Sequence, residues 1–402
     1  MGALILILVL FGATLPLLQL LKAQHRWLKI GLLRNLYWYH VLFAGIYYAY
    51  VQSSASDSVA YFNRTSENYE DWMDAYGTGT PFIDFVAYPF VNYLGFSYEM
   101  MMVLFSWMGY WGFVYFYITF RENLKHKHTF QGIDLVTLFI FLPNMHYWTA
   151  SLGKGSIIFM GLAMAIYGIS RLNSRKIVLL IGLLIVYHVR PHVFFIMGLG
   201  ILAGLVTARE KVPLFQKLIV FAGVGVAVYF LYDDVMAFAS IDSENFFASF
   251  DQLSSHRSVE LAKAGSGIDI SGYPLPLKLF TFWFRPLFVD APGPIGIIVS
   301  FENLFYLWLA AKLFNAQFLK FLGKSPALVK TCGVAFLATS VALSGTLSNL
   351  GIIIRQKSMV MYFFLFVIIM FMDYRKGWVM QKKKNAAGPV PLDPLPGQVS
   401  FN

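Results

Sequence analysis

Long apolar runs, separated by short polar links, dominate the hydrophobic pattern of this chain. A helix needs about 17–25 apolar residues to cross the hydrocarbon layer of a membrane. By that criterion roughly eleven stretches are predicted spans, although several, 177–189 above all, are short. The stretches are 3–21, 35–51, 99–120, 133–150, 156–170, 177–189, 192–208, 215–232, 291–311, 329–348 and 359–373. The pattern therefore predicts an all-α fold, a polytopic membrane helix bundle.

Composition and charge agree with this prediction. Of the 402 residues 58% are hydrophobic and only 13% are charged, with a mean hydropathy of +0.61. The net charge of +10 could indicate nucleic acid, but Lys and Arg concentrate in alternate short links. This alternation follows the positive-inside rule and predicts an N-terminus outside and a C-terminus in the cytoplasm. We expect the lipid bilayer, and no nucleic acid, as a partner.

Two features near the chain's apolar segments limit the choices further. The first stretch lacks a basic n-region and a small-residue cleavage site, so we expect a retained helix and not a signal peptide. The lone Cys332 lies in an apolar run, which excludes a disulfide framework and a thiolate metal site. The redox compartment stays open.

Two long links, 52–98 and 233–293, fall on the predicted outer side. Links longer than about 12–15 residues are usually functional or disordered. These two are rich in aromatic residues with Gly and Pro between them, which disordered linkers generally lack. We expect two ordered outer loops within one integral membrane domain, residues 1–384. The Pro-rich end, 385–402, is predicted to be a flexible cytoplasmic tail.

Two Arg-Pro dipeptides stand on the predicted outer side, at Arg190-Pro191 and Arg285-Pro286. An Arg at the bilayer centre costs about 2.5–3.5 kcal/mol on insertion scales, so a compensating partner is expected. Pro restricts the backbone beside each guanidinium, which favours bidentate binding of phosphate. The alternative is that Arg190 merely caps two helices at the lipid headgroups.

Other basic residues lie against helix ends on the same predicted side. Lys154 stands between two glycines, and Arg355 and Lys357 stand near the last span. The fourth of these residues is His192. Together with the two arginines they predict a binding site for an anionic headgroup. The alternative for Lys154 is that its side chain snorkels to the interface.

Two carboxylates are candidates for chemistry. Asp57 follows the second predicted span, where it could act as a general base toward a hydroxyl group or hold a divalent cation. Glu302 is the only carboxylate in the middle of a predicted span, away from its ends, and an intramembrane acid is a functional candidate by default. The alternatives are a solvated acid for Asp57 and a buried hydrogen bond between helices for Glu302.

The chain has no Walker-type phosphate loop, no zinc-binding helix motif and no nucleophile elbow. ATP-driven transport and serine hydrolysis are therefore not favoured.

Several short blocks resemble multi-pass bacterial polysaccharide polymerases, the O-antigen (Wzy-type) and related exopolysaccharide polymerase families. The blocks are LPNMHYWTASLGKG at 142–155, Arg190-Pro191-His192, Phe284-Arg285-Pro286 with Glu302-Asn303, and NLGIIIRQK at 349–357. The resemblance covers most of the chain in topology and depends on short motifs.

The resemblance implies a glycosyltransferase of the bacterial inner membrane. Its substrate would be a polyprenyl-diphosphate-linked oligosaccharide, polymerised or transferred on the outer face for surface polysaccharide. Other polysaccharide assembly proteins would be further partners. By this resemblance Arg190, Arg285 and Arg355 would bind the diphosphate, and Asp57 would be the base or a metal ligand. The first loop lacks a clear second carboxylate motif, so a metal requirement stays open.

The predicted site thus has Asp57, Arg190 and Glu302 as catalytic residues. The predicted diphosphate-binding residues are Lys154, Arg190, His192, Arg285, Arg355 and Lys357, with no certain cofactor and a divalent cation left open. Two rival functions remain. A lipid-linked glycan transporter or flippase could use the same cations, and a membrane acyltransferase modifying surface glycan could use His146, His188 or His192 as base.

Overall fold

The structure of the chain is a computed structural model. It describes residues 1–54, 56–208, 272–345, 349–357 and 359–386, together with short pieces between 213 and 229 and residues 267, 268 and 270. Half of the predicted span 215–232, residues 233–266 of the second predicted outer loop, and residues 387–402 of the predicted tail lie outside this part. The statements below concern the described residues.

The fold is all-α, as the hydrophobic pattern predicts. Outside 209–271 the described helices are α1 (Gly2–Gln24), α2 (Ile30–Val51), α3 (Asp57–Glu67), α4 (Thr80–Tyr88), α5 (Tyr98–Asn123), α6 (Leu135–Ile140), α7 (Pro143–Thr149), α8 (Lys154–Ser170), α9 (Lys176–Val189), α10 (Pro191–Thr207), α11 (Leu275–Phe284), α12 (Gly293–Ala311), α13 (Ala316–Lys324), α14 (Ala327–Ser344), α15 (Leu350–Lys357) and α16 (Met361–Ala386). Short 3-10 turns cover Trp72–Ala75 and Phe288–Asp290, and a π turn covers Pro89–Tyr93.

Two short strands complete the described secondary structure. They are β1 (Thr129–Phe130) and β2 (Ile133–Asp134), which pair antiparallel with Phe130 opposite Ile133. Gly132 between them has a φ of 82°, a conformation that glycine adopts without steric cost.

Fewer helices have the length and apolarity of a membrane span than the eleven predicted. In the described part these are α1, α5, α12 and α14, and a fifth if α15 and α16 form one span bent by 56°. The helices α8, α9, α10 and α11 are apolar but shorter. The helix α2 has the length, but it carries several tyrosines together with Arg34 and His40.

The predicted span 133–150 is not one helix. It divides into α6 and α7, with Pro143 at the first position of α7. Proline has no backbone N–H and disfavours helical dihedral angles in the residue before it, so α6 ends before Leu142.

The helix α5 lies at the centre of the bundle, and most of its side chains are buried. It packs closely against α8, which in turn packs on α9 through small residues. A Cβ added to Gly182 of α9 would lie 2.8 Å from the carbonyl oxygen of Gly161 in α8. Contacts of this kind allow helix backbones to approach without large side chains between them.

Residues 57–93, which we call the loop layer, fold over one end of the bundle. Asp84 of α4 is fully buried and accepts hydrogen bonds from Arg64 Nε and Nη2 of α3, at 2.5 and 2.9 Å. These bonds raise the pKa of the Arg64 guanidinium, so Arg64 stays protonated.

Several hydrogen bonds attach the loop layer to the bundle, and two of them show where it lies. Ser58 Oγ and the Tyr98 hydroxyl at the start of α5 are hydrogen-bonded at 2.7 Å. The backbone N–H of Gly79 donates to the His188 carbonyl at the end of α9, at 2.6 Å. The layer is therefore fixed against both α5 and the turn between α9 and α10.

Candidate functional site

Arg190 lies at the turn where α9 ends and α10 begins. Pro191 occupies the first position of α10, where the missing N–H costs no helical hydrogen bond. Arg190 Nη1 donates to Gln356 Oε1 at 2.9 Å. Its Nε is buried and has no hydrogen-bond partner among the described residues. The guanidinium thus has an unused donor.

Arg355 reaches the same region from α15. Its Nη1 lies 2.6 Å from Asp57 Oδ2, although 298 positions separate the two residues in the sequence. Asp57 opens α3, where Ser56 accepts a hydrogen bond from the N–H of Ser58 as the N-cap. The Asp57 side chain is 60% exposed, so a ligand can reach it.

Lys154 supplies a third cation from the first turn of α8. The preceding Gly153 has a φ of 150°, and an added Cβ there would lie 3.1 Å from the Tyr61 ring, so glycine is needed. A Cβ on Gly79 would lie 3.8 Å from Lys154 Nζ, which places the ammonium against the loop layer. Its charge interacts with those of Arg190, Arg355 and Asp57.

These four residues define what we call the cation cluster: Lys154, Arg190, Arg355 and Asp57. Three positive charges face one carboxylate, so an incoming anion meets a positive local field. Tyr61 of the loop layer lies beside the cluster and also interacts with Arg190 and Arg355. Burial raises the pKa of the Tyr61 hydroxyl, so it stays neutral and can donate a hydrogen bond.

The structure places Lys357 differently from its neighbour Arg355. Lys357 is fully buried, and its Nζ donates to Asn303 Oδ1 at 2.5 Å and to the Arg285 carbonyl at 2.9 Å. Asn303 Nδ2 in turn donates to the Pro286 carbonyl at 2.7 Å. The ammonium therefore connects α12, α15 and the segment after α11.

Glu302 belongs to the same buried region. Its Oε1 accepts the backbone N–H of Asn144 at 2.6 Å, and its Oε2 accepts the Tyr306 hydroxyl at 3.0 Å. Its charge interacts with that of Lys357. We call Glu302, Asn303 and Lys357, with their partners, the buried network.

Arg285 is separate from the cation cluster. Its side chain forms an ion pair with Asp290, five residues on, and both side chains are partly buried. Asp290 Oδ1 also accepts the N–H of Leu287, so the pair stabilises the local 3-10 turn. The structure therefore brings Arg190, Arg355, Lys154 and Asp57 together, but it does not bring Arg285 to them.

The histidines occupy three different environments. His192 is partly buried in the first turn of α10. His188 lies 3.0 Å from the Tyr76 hydroxyl through Nε2 and 2.8 Å from the Leu184 carbonyl through Nδ1. His146 is fully buried, with its Nδ1 2.7 Å from His40 Nδ1. Burial leaves little access for an acyl donor at His146, and both ring nitrogens of His188 already have a hydrogen-bonding partner.

Three contributors were not predicted from the sequence: Gln356, Tyr61 and Asn303. Gln356 is the residue that connects Arg190 to α15, and Asn303 is the amide that binds Lys357. One signal was available, since Gln356 stands between two predicted site residues. Nothing in the sequence marked Tyr61 apart from its place one helical turn after Asp57.

The described residues do not support a metal centre. No group of three or more His, Cys, Asp or Glu side chains among them could hold a metal ion. Asp57, the residue considered as a metal ligand, is paired with Arg355 instead. We derive no step through a metal ion.

Comparison of the chain with models of protein families, with curated proteins and with solved structures finds no match.

Proposed function

We propose that this chain is an integral membrane glycosyltransferase that polymerises or transfers a polyprenyl-diphosphate-linked oligosaccharide. The observation that carries the proposal is the cation cluster. Lys154, Arg190 and Arg355 come from distant parts of the chain and converge around one exposed carboxylate, Asp57. A cluster with this excess of positive charge suits a ligand with more than one negative charge.

A diphosphate matches the donors of the cluster. The planar guanidinium groups of Arg190 and Arg355 carry fork-shaped donor pairs, which match phosphate oxygens. When the sugar leaves its carrier, negative charge grows on the departing diphosphate. Donors fixed in position before that step stabilise the transition state more than the substrate, each by about 10²–10³-fold in rate by analogy with oxyanion holes.

Asp57 is the base in this proposal. Binding of the diphosphate to Arg355 competes with the Asp57–Arg355 ion pair and so releases the carboxylate. The acceptor hydroxyl gives its proton to Asp57, its oxygen forms the bond to the anomeric carbon, and the bond from that carbon to the diphosphate oxygen breaks. The lipid diphosphate leaves with the electron pair, held by the three cations. Glu302 and Lys357 take no part in these bonds.

The proposal includes a topology. The loop layer and the cation cluster face the outside of the bacterial inner membrane, with the N-terminus outside and the C-terminus in the cytoplasm. About eleven spans within residues 1–384 cross the bilayer in this arrangement, some of them as short, tilted or paired helices.

The test is the chain length of surface glycan in a bacterial strain that lacks the gene and carries complementing variants. We expect Lys154→Ala, Arg190→Ala and Arg355→Ala to give short or unextended glycan at normal protein level. Lys320→Ala, an exposed lysine on α13, is the matched control and should restore full-length polymer. Normal polymer from all three cluster variants would overturn the proposal, as would reconstituted protein that moves the lipid-linked glycan without extending it.

A further inference from the structure

A polar cavity lies at the end of the bundle opposite to the cation cluster. It has a volume of about 750 Å³ and is bounded by the segment after α5, by α13 and by α16. The polar side chains of its wall include Lys125, His126, Lys324 and Gln381, and the apolar wall includes Phe321 and Trp378.

The length of α5 separates this cavity from the cation cluster. Tyr98 at its first turn contacts the loop layer, and Asn123 at its last turn lines the cavity. At 1.5 Å per residue, the 26 residues of α5 cover about 39 Å. The two sites therefore lie at opposite ends of the helix, and the positive-inside pattern predicts that the cavity faces the cytoplasm.

Among the described residues, Asp373 of α16 is the one carboxylate that lines the cavity, and it already accepts several hydrogen bonds. Its Oδ1 accepts the backbone N–H of His126 at 2.8 Å and lies 3.0 Å from both His126 Nδ1 and His128 Nε2. Its Oδ2 accepts the backbone N–H of Lys125 at 3.2 Å. These bonds hold the segment after α5 against α16 and satisfy the acid from one side.

The two lysines of the cavity have no such partner. Neither Lys125 Nζ nor Lys324 Nζ has a hydrogen bond or an ion pair within the described ranges, and both side chains are exposed. They stand on different walls, one after α5 and the other at the end of α13. Gly377 also lines the cavity, and a Cβ added there would lie 3.3 Å from His126 Cε1.

We infer that this cavity binds a phosphate group between Lys125 and Lys324. Two ammonium groups on different parts of the wall match a phosphate with two negative charges. They outnumber the one carboxylate of the described wall, Asp373, whose oxygens already accept hydrogen bonds from the segment after α5. The aromatic ring of Trp378 and the side chain of Phe321 would contact the apolar part of the ligand. The phosphate belongs either to the headgroup of an anionic lipid or to a soluble phosphate compound. The inference does not depend on the proposed glycosyl transfer.

The test measures binding to the purified full chain by native mass spectrometry and calorimetry. Because the cation cluster could also bind phosphate, the background is the Arg190→Ala/Arg355→Ala protein. The probes are inorganic pyrophosphate and phosphatidic acid in neutral detergent. We expect each of Lys125→Ala and Lys324→Ala to weaken binding about tenfold. Lys320→Ala, on the same helix as Lys324 but outside the cavity, should bind as the background protein does.

The two probes distinguish the two sources. Lysine-dependent binding of phosphatidic acid alone identifies a lipid headgroup, and lysine-dependent binding of pyrophosphate alone identifies a soluble phosphate. Either outcome supports the inference. Absence of binding for both probes overturns it, and so does equal binding by the Lys125→Ala/Lys324→Ala variant at an unchanged melting temperature. Glycan extension without lysine-dependent phosphate binding would overturn this inference and leave the proposed function in place. Lysine-dependent phosphate binding without glycan extension would do the reverse.

Discussion

The two Arg-Pro turns have the same dipeptide in two different environments. At Arg190-Pro191 the guanidinium binds Gln356 and keeps a buried, unused Nε beside Lys154 and Arg355. At Arg285-Pro286 the guanidinium is paired with Asp290, and the backbone carbonyls of the turn accept Lys357 and Asn303. At the first turn the guanidinium belongs to the cation cluster. At the second turn the guanidinium is neutralised by Asp290, and the backbone carbonyls bind side chains of neighbouring helices.

This difference teaches that the partner of an arginine, and not its sequence motif, indicates its role. The same is true along α15, where two basic residues separated by one position contact different regions. Arg355 contacts Asp57 of the loop layer, while Lys357 enters the buried network. One short helix therefore joins the cation cluster to the structural part of the bundle.

The largest expected effect is on the buried network. Lys357→Ala removes a buried cation and leaves Asn303 Oδ1, the Arg285 carbonyl and the nearby Glu302 uncompensated. Leaving a buried hydrogen-bonding group without its partner costs about 1–3 kcal/mol, and two such groups are left here. We expect a strongly lowered melting temperature and little folded protein in detergent, measured by thermal unfolding against Lys320→Ala. A melting temperature equal to that of the control would show that this network does not stabilise the bundle.

The next effect is on function at the first turn. Arg190→Ala should reduce glycan extension about 10²-fold or more, because it removes donors that face the departing diphosphate. Arg190→Lys keeps the charge but loses the planar fork and the bond to Gln356, so we expect only partial recovery. Chain-length distributions on gels, normalised to protein level, give the measurement. Full recovery by lysine would mean that charge alone matters there.

A change at Asp57 is expected to affect glycan extension without affecting the stability of the fold. Asp57→Asn removes the proposed base. The one ion pair lost with it is exposed, and exposed ion pairs stabilise a fold by less than about 1 kcal/mol at most sites. We expect an almost unchanged melting temperature and the loss of extension, with lipid diphosphate still bound. Extension at the normal rate would exclude Asp57 as the base.

The smallest effect is expected at the second turn. Arg285→Ala breaks the pair with Asp290 but leaves the carbonyl that accepts Lys357 in place. We expect extension to continue at a rate near that of the unchanged protein, with a slightly lower melting temperature. A loss as large as that of Arg190→Ala would remove the distinction between the two turns.

The sequence predicted the helical class because apolar periodicity is a local property. It did not predict the break at Leu142-Pro143, since apolar residues stand on both sides of Pro143 in the run 133–150. The basic residues of the site were predicted as a set, because each is unusual on the predicted outer side. Their division into two groups depends on Asp290 and Asn303, whose contacts arise only from the packing of α11, α12 and α15.

The central claim is that the cation cluster binds a lipid diphosphate. The most direct measurement is the binding of polyprenyl diphosphate to the purified chain by native mass spectrometry, in a Lys125→Ala/Lys324→Ala background that removes the second phosphate site. The account predicts one saturable site, weakened about tenfold or more by Arg190→Ala and by Arg355→Ala and unchanged by Arg285→Ala. Absence of saturable binding, or equal binding by all three variants, would contradict it.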